Sequence, residues 1–134
     1  MKNYRQQLKE ILEDTVAYYG KNPSKRRSTV EGKGCRYLSP DGRMCAAARL
    51  LTPKGLELAH TLEGESANTV IIRKGARLKN KYAALKNQGD FARFLGVIQN
   101  LHDCEYHWGN SGLSEEGKEE VDCITEEIDQ GQYD

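Results

Sequence analysis

The stretch that decides the predicted fold is CRYLSPDGRMCAAARLL, residues 35–51. In its first half, two short runs with apolar residues flank the sequence Ser-Pro-Asp-Gly at 39–42. Proline fixes φ at the first central position of a tight turn, and glycine takes the left-handed position that follows. This pattern predicts a β-hairpin over 35–45. The alanine-rich run 46–51 has high helix propensity and predicts a short helix that ends before Thr52-Pro53.

Helical patterns surround this unit on both sides. Apolar residues recur at helical spacing over about 3–19, and Thr52 followed by proline is typical of an N-cap and first helical residue. The strongest pattern covers 90–108, where Asp90 is the expected N-cap. Its apolar stripe consists of Phe91, Phe94, Leu95, Ile98, Leu101 and Cys104.

Two regions are less regular, and one helix closes the chain. Val70–Ile72 predicts a short strand or a turn of helix, and helical spacing resumes over 76–86. Ser114 is the expected N-cap of a C-terminal helix whose outer face is acidic. The last residues, 130–134, read as a frayed tail.

These patterns predict a single α+β domain over residues 1–134. It is mainly helical, with about five helices around a central helix 90–108 and one small β-hairpin over 35–45. A chain of 134 residues is long enough for its own core. It has no apolar run near the length of a membrane span. No apolar segment follows its charged start, as a secretion signal would require, and four cysteines without an export signal favour reduced thiols. We therefore expect a cytoplasmic protein that does not act on a membrane.

Charge is distributed unevenly along the chain although the formal net charge is zero. Residues 1–93 carry 19 Lys and Arg against 9 Asp and Glu, whereas residues 94–134 carry 1 Lys against 11 Asp and Glu. One interpretation is that the acidic C-terminal helix lies over the basic body or that both are solvated faces. The other is that the basic part meets a phosphate-bearing or acidic partner.

The junction between the predicted hairpin and helix is a candidate ligand site. Backbone amides at 45–47 would be free at a helix start, and three arginines lie nearby in sequence, so an anion or nucleotide is the ligand class this pattern indicates. His102 and Asp103, near the end of the central helix, complete the candidate set. The candidate ligand-binding residues are Arg36, Tyr37, Arg43, Cys45, Ala46, Arg49, His102 and Asp103.

The cysteines allow three further interpretations. Cys35, Cys45 and His102 are a possible zinc set, although the nine residues between the cysteines do not match the usual close ligand pair. Cys45 at a helix start is also a possible nucleophile, with His102 and Asp103 as base and orienting acid. Small buried thiols that pack as hydrophobes are the plainer alternative.

Exposed basic residues leave nucleic acid as an alternative partner. Lys25, Arg26 and Arg27 lie in a loop, where they either contact phosphates or are simply solvated. A second basic stretch lies further along the chain. The residues considered for this alternative are Lys25, Arg26, Arg27, Arg73, Lys74 and Arg77.

Two motifs resemble those of small uncharacterised proteins common in phage and prophage genomes. One is C-x-Y-x4-G-x2-C-A, matched by Cys35, Tyr37, Gly42, Cys45 and Ala46. The other is F-L-x2-[LI]-Q-x2-H-D, matched by Phe94, Leu95, Ile98, Gln99, His102 and Asp103. The resemblance covers about half of the chain, and Ala48 stands where the family has glycine.

This resemblance implies an accessory role in phage infection, for which non-catalytic binding is a common outcome. The leading prediction is therefore a non-enzymatic viral protein without a cofactor, acting in the host cytoplasm. It would bind and inhibit or sequester a host component, either a defence protein or a signalling nucleotide. A small nucleic-acid-binding protein and a zinc or thiol enzyme remain open as alternatives.

Overall fold

A computed structural model describes residues 3–30 and 34–134, and most of these residues are helical. The described residues form five α-helices: α1 Tyr4–Gly20, α2 Pro23–Arg26, α3 Pro53–Thr61, α4 Phe91–Asp103 and α5 Glu115–Asp129. The 3-10 segments are Ala48–Leu50, Asn80–Asn87 and Glu105–His107, and Asn68–Arg73 is π-helical. None of the described helices combines the length and the apolarity that crossing a membrane requires.

The prediction of an α+β fold with a β-hairpin over 35–45 is wrong, because the chain is helical and this segment forms no hairpin ladder. The expected turn at 39–42 is present, but only a single bridge, Leu38 to Met44, closes it. The only strand pairing in the described residues is two residues long, β1 Thr29–Val30 against β2 Gly34–Cys35.

Competing hydrogen bonds explain why the hairpin does not form. The backbone N–H groups of Tyr37 and Leu38 donate to the two carboxylate oxygens of Glu63, at 2.7 and 3.1 Å. The Cys45 carbonyl, which would pair with the Tyr37 N–H across the hairpin, accepts from the Arg49 N–H at 3.2 Å instead. Because each backbone group already has a partner from outside the segment, no ladder is needed to satisfy it.

The predicted helix starts are confirmed by their caps. The side chains of Thr52, Asp90 and Ser114 accept from the backbone N–H three residues later, in α3, α4 and α5 respectively. Helix α1 begins with a full capping box between Asn3 and Gln6. Short polar side chains before an apolar stripe therefore mark the starts of α3, α4 and α5 correctly.

Helix α4 is the centre of the core. The five aromatic and aliphatic residues of its predicted stripe are all buried, and the helix contacts α1, α5 and the segments 68–73 and 80–87. It ends at Asp103, five residues before the predicted end. The guanidinium of Arg27 donates to the last carbonyls, those of His102 and Asp103, at 2.7 and 2.8 Å, and the chain then turns into the 3-10 segment.

Two other predicted elements differ in the structure. The segment expected as a strand or a turn of helix at 70–72 is part of the π-helix, and the helix expected over 76–86 is a 3-10 segment, Asn80–Asn87. The predicted frayed tail 130–134 is ordered and partly buried: Tyr133 is 1% exposed and packs edge-on against Phe94.

The acidic C-terminal part lies against basic residues of the body. Asp134 pairs with Arg5, Asp129 with Lys9, and Glu127 with Arg93. These pairs join α5 and its tail to α1 and α4. Part of the charge asymmetry in the sequence is therefore neutralised within the molecule.

Gly55, in the first turn of α3, gives a test of this packing. A Cβ atom at this position would lie 2.4 Å from the carbonyl oxygen of Arg77, which also accepts the Thr52 N–H at 2.9 Å. Glycine-to-alanine changes inside helices usually gain about 0.5–1 kcal/mol, but here we expect a loss of about 2 kcal/mol in the free energy of unfolding. Denaturant unfolding measures it.

The matched control is Gly96→Ala in α4. A Cβ atom there meets no atom of the described residues within 4 Å beyond its chain neighbours and the adjoining backbone of α4, so this substitution is expected to show the usual gain. Equal effects of the two substitutions would contradict the contact between Gly55 and Arg77.

Candidate functional site

The two motifs that carry the phage resemblance meet in space through the side chain of Gln99. Its Nε2 donates to the sulfurs of Cys35 and Cys45, at 3.0 and 3.4 Å, and its Oε1 accepts the Ala47 N–H at 2.9 Å. Gln99 is thus the cross-link between α4 and the segment 35–47. Residues that are more than fifty positions apart form one hydrogen-bonded unit.

His102 is buried in the core next to these residues, and its imidazole is neutral. Its ring is fully buried, its Nε2 accepts the Ser28 N–H at 3.1 Å, and its Nδ1 lies 2.7 Å from Oδ1 of Asp103. Since an amide N–H can only donate, Nε2 is unprotonated and Nδ1–H donates to the carboxylate. Burial lowers the pKa of His102 below its ordinary value, against the opposing effect of Asp103.

The thiols are not arranged as an activated nucleophile. The hydrogen bond with Cys45 and burial raise the pKa of the Cys35 thiol far above its ordinary value, so it stays protonated, whereas a nucleophilic cysteine needs a lowered pKa. Cys45 is fully buried. Both nitrogens of His102 already have hydrogen-bond partners, which leaves the imidazole no position from which to accept a thiol proton.

Zinc does not suit the imidazole in this arrangement. Ligand atoms of Cys35, His102 and Asp103 lie within 4.8 Å of one another, so a metal set is geometrically conceivable. A neutral histidine that binds a metal through Nδ1 keeps its proton on Nε2, where it would face the N–H of Ser28. Two donors would then oppose each other, and Nε2 itself is covered by that same amide. The hydrogen bonds fit a packed polar cluster better than a metal centre.

A cavity of about 360 Å³ opens beside this cluster. One wall is a stripe of α4 at spacings of four, three and four residues, which places the stripe on a single face of the helix. The other wall is the segment 64–68, and Cys35 and Tyr37 also line the space. The α4 stripe consists of Ala92, Gly96, Gln99 and Asp103.

The wall opposite α4 is held by Tyr37. Its hydroxyl donates to the carbonyl of Glu65 at 2.6 Å, and its backbone N–H is bound by Glu63. Burial, with the nearby thiols and carboxylates, raises the pKa of Tyr37 above its ordinary value, so this phenol remains a donor. The cavity therefore has fixed walls on both sides.

Gly96 keeps the middle of the cavity open. It lies in the interior of α4, where glycine costs about 0.5–1 kcal/mol relative to alanine. Apart from Gly96 itself, its chain neighbours and the adjoining backbone of α4, no atom of the described residues lies within 4 Å of the position that a Cβ atom would take. Nothing in the packing of these residues requires glycine here, and its effect is to leave space in the cavity.

Two of the three arginines of the predicted anion site have other partners. Arg43 pairs with Asp41 and donates to the carbonyl of Arg27, and Arg49 pairs with Asp14 and lies over the ring of Tyr18. Arg36 is exposed.

The other members of that candidate set are largely buried. Ala46 is 2% and Tyr37 3% exposed, and the Ala47 amide, expected to be free at a helix start, is bound by Gln99. The predicted helix over 46–51 is only the 3-10 turn Ala48–Leu50. Of the predicted ligand residues, the structure brings Cys45 next to Gln99 and places Tyr37 and Asp103 at the cavity.

The basic residues considered for nucleic acid fall into two groups. The first group does not lie in a loop as expected, because Lys25 and Arg26 belong to α2. Arg26 donates to the Tyr18 carbonyl and lies over its ring, and Arg27 caps α4, so Lys25 is the exposed one of these three. The second group is fully available at the surface: Arg73, Lys74 and Arg77 are exposed.

Sequence reasoning missed Gly96 and Glu63 and used Gln99 only as part of the resemblance. The sequence did contain a signal for the α4 residues that line the cavity. They form a second stripe at helical spacing, beside the apolar stripe, at positions 92, 96, 99 and 103. The role of Glu63 as acceptor for two backbone amides has no local signature in the sequence.

We compared the chain with models of known protein families, with curated proteins and with solved structures, and no match was found in any of the three comparisons.

Proposed function

We propose that this chain is a non-enzymatic accessory protein of the phage type. It uses the cavity beside α4 to bind a host protein and so sequesters that protein. The observation that carries the proposal is the cavity itself, walled by α4 and segment 64–68 and kept open by Gly96. The protonated Cys35 thiol and the neutral His102 imidazole, each held by its own hydrogen bonds beside the cavity, support binding and not thiol or metal chemistry.

The charge of the cavity favours a protein over a signalling nucleotide. Among the described lining residues are the acids Glu65 and Asp103 and no lysine or arginine. The phosphates of a nucleotide would meet carboxylates of the same sign there. A volume of about 360 Å³ is also at the low end of the usual range for ligand pockets, which suits an inserted side chain.

Nucleic acid is the second candidate, favoured by a different surface. Residues 67–89 contain six lysines and arginines and no acidic residue, and Arg73, Lys74 and Arg77 are exposed. A retained nucleic acid whose affinity falls steeply with salt would support this candidate and contradict the first.

The test is native mass spectrometry of the chain purified from a bacterial host. We expect the wild-type protein to retain a host protein in a defined stoichiometry. Gly96→Leu places a side chain in the cavity and is expected to reduce this retention at least tenfold, a loss of about 1.4 kcal/mol or more. Gly96→Ala adds only a methyl group and serves as the smaller step in the same series.

The control is Ala83→Leu, which adds a leucine at an exposed position outside the cavity. It should retain the partner as the wild type does. The proposal is contradicted if the wild-type protein carries no host protein, or if Gly96→Leu retains it as well as Ala83→Leu.

A further inference from the structure

We infer that the cavity beside α4 receives a basic side chain of the partner protein, with arginine preferred over lysine; this inference rests on the proposed function. Glu65 and Asp103 line the space from opposite walls. A cation that enters the cavity therefore meets an acidic residue on each wall.

Asp103 is held ready for such a ligand. Its Oδ1 accepts from Nδ1–H of His102 at 2.7 Å, and that imidazole is itself fixed by Ser28 and by the ring of Tyr19, 4.8 Å away. The side chain of Asp103 is 30% exposed. A carboxylate has about four lone-pair sites, so the bonds that Asp103 accepts from His102 and from the Cys35 thiol leave capacity to accept from a ligand.

The charge of Asp103 is only partly offset by its neighbours, since the Arg27 guanidinium lies near enough to interact with it. His102 is neutral, because Nε2 accepts a backbone N–H, so it adds no positive charge. The Arg27 guanidinium donates to the main-chain carbonyls of His102 and Asp103. A cationic ligand would thus find an oriented carboxylate at the end of a rigid helix.

Arginine fits this set of acceptors better than lysine. Its planar guanidinium presents several N–H groups in fixed directions and can bind a carboxylate and further acceptors at once, and it is less strongly hydrated than an ammonium group. The cavity also contains the side chains or backbone of Ser66, Asn68 and Gln99. Gly64 and Gly96, on opposite walls, leave room for the planar group.

The experiment is an NMR titration of the full ¹⁵N-labelled chain with N-acetyl-arginine methylamide. The citrulline analogue, which has the same shape without the charge, is the matched ligand. We expect the arginine compound to bind in the millimolar range and at least tenfold more tightly than the citrulline compound. The shifted amides should belong to residues 64–68 and to the 96–103 part of α4.

Two variants locate the effect. Asp103→Asn keeps an oxygen that can accept from His102 and is expected to remove the preference for arginine. Asp122→Asn neutralises an exposed acid on α5, away from the cavity, and should leave it unchanged. Equal binding of the two ligands, no binding, tighter binding of adenosine monophosphate, or shifts elsewhere would each overturn the inference.

The NMR titration can fail without contradicting the proposed function. If the arginine compound fails while Gly96→Leu still abolishes retention of the host protein, only the inference is wrong. If retention is insensitive to Gly96→Leu, both are wrong.

Discussion

Replacing Tyr133 with alanine is expected to lower the free energy of unfolding by about 3–5 kcal/mol. The ring is 1% exposed and packs edge-on against Phe94 with 5.3 Å between ring centroids. Its carbonyl oxygen accepts the N–H of Asp90, the N-cap of the central helix, at 2.8 Å. The neighbouring Gly89 has a φ of +45°, and a Cβ atom there would lie 2.2 Å from this carbonyl. Removing the ring leaves a cavity at the start of α4.

Denaturant unfolding of the full chain measures this effect. Tyr133→Phe is the control, because it keeps the ring and loses only the hydroxyl that donates to Glu127 at 2.8 Å; we expect it to cost about 1 kcal/mol. A loss below 1 kcal/mol for Tyr133→Ala would mean that the tail is frayed, as the sequence pattern predicts.

Replacing His102 with alanine is expected to cost about 3 kcal/mol at neutral pH. The substitution leaves the buried N–H of Ser28 without its acceptor, for which about 1–3 kcal/mol is typical, and it also removes a fully buried ring packed on Tyr19. Urea unfolding of the wild-type protein and the variant at pH 7.5 measures the difference.

The cost of losing His102 should shrink in acid. In the unfolded chain this histidine takes up a proton near its ordinary pKa of about 6.5, whereas burial lowers its pKa in the folded protein. Protons then favour the unfolded state, so the contribution of His102 is complete above pH 6.5 and declines below it. The slope approaches about 1.4 kcal/mol per pH unit.

The measurement is the difference in unfolding free energy between wild type and His102→Ala at several pH values from 7.5 to 5. Taking the difference removes the titration of groups that both proteins share. A difference that is constant over this range, or that grows in acid, would contradict a neutral buried imidazole.

Much of the helical architecture could be predicted because its signals are local. Thr52, Asp90 and Ser114 each precede an apolar periodic run and cap a helix through their own side chains. The stripe of α4 is buried as its spacing predicts. Caps and periodicity depend on residues within a turn or two, so the sequence alone contains them.

The hairpin prediction failed because its outcome depends on distant groups. The turn at 39–42 forms, but the distant carboxylate of Glu63 binds the Tyr37 amide, and the Cys45 carbonyl, its partner in a hairpin, accepts from Arg49. Contacts with residues distant in sequence also explain why α4 ends early, at the cap by Arg27, and why Tyr133 is buried. A single sequence does not show which remote side chain will reach a given backbone group.

The candidate site was predictable in part. Cys35, Cys45, His102 and Asp103 do come together, as expected of thiols folded back toward the central helix. Gln99 joins them, and its role depends on the position of the Ala47 amide, which required the three-dimensional structure. The predicted Arg43 and Arg49 have other partners, because ion pairs at the surface form with whichever carboxylate lies near.

The most direct measurement of the central claim is hydrogen–deuterium exchange of the wild-type chain with and without the host protein that it retains. We expect slower exchange in residues 64–68 and around Tyr37, the wall of the cavity that faces α4. Slower exchange confined to the basic segment 73–86 or to α5, with 64–68 unchanged, would contradict binding at this cavity.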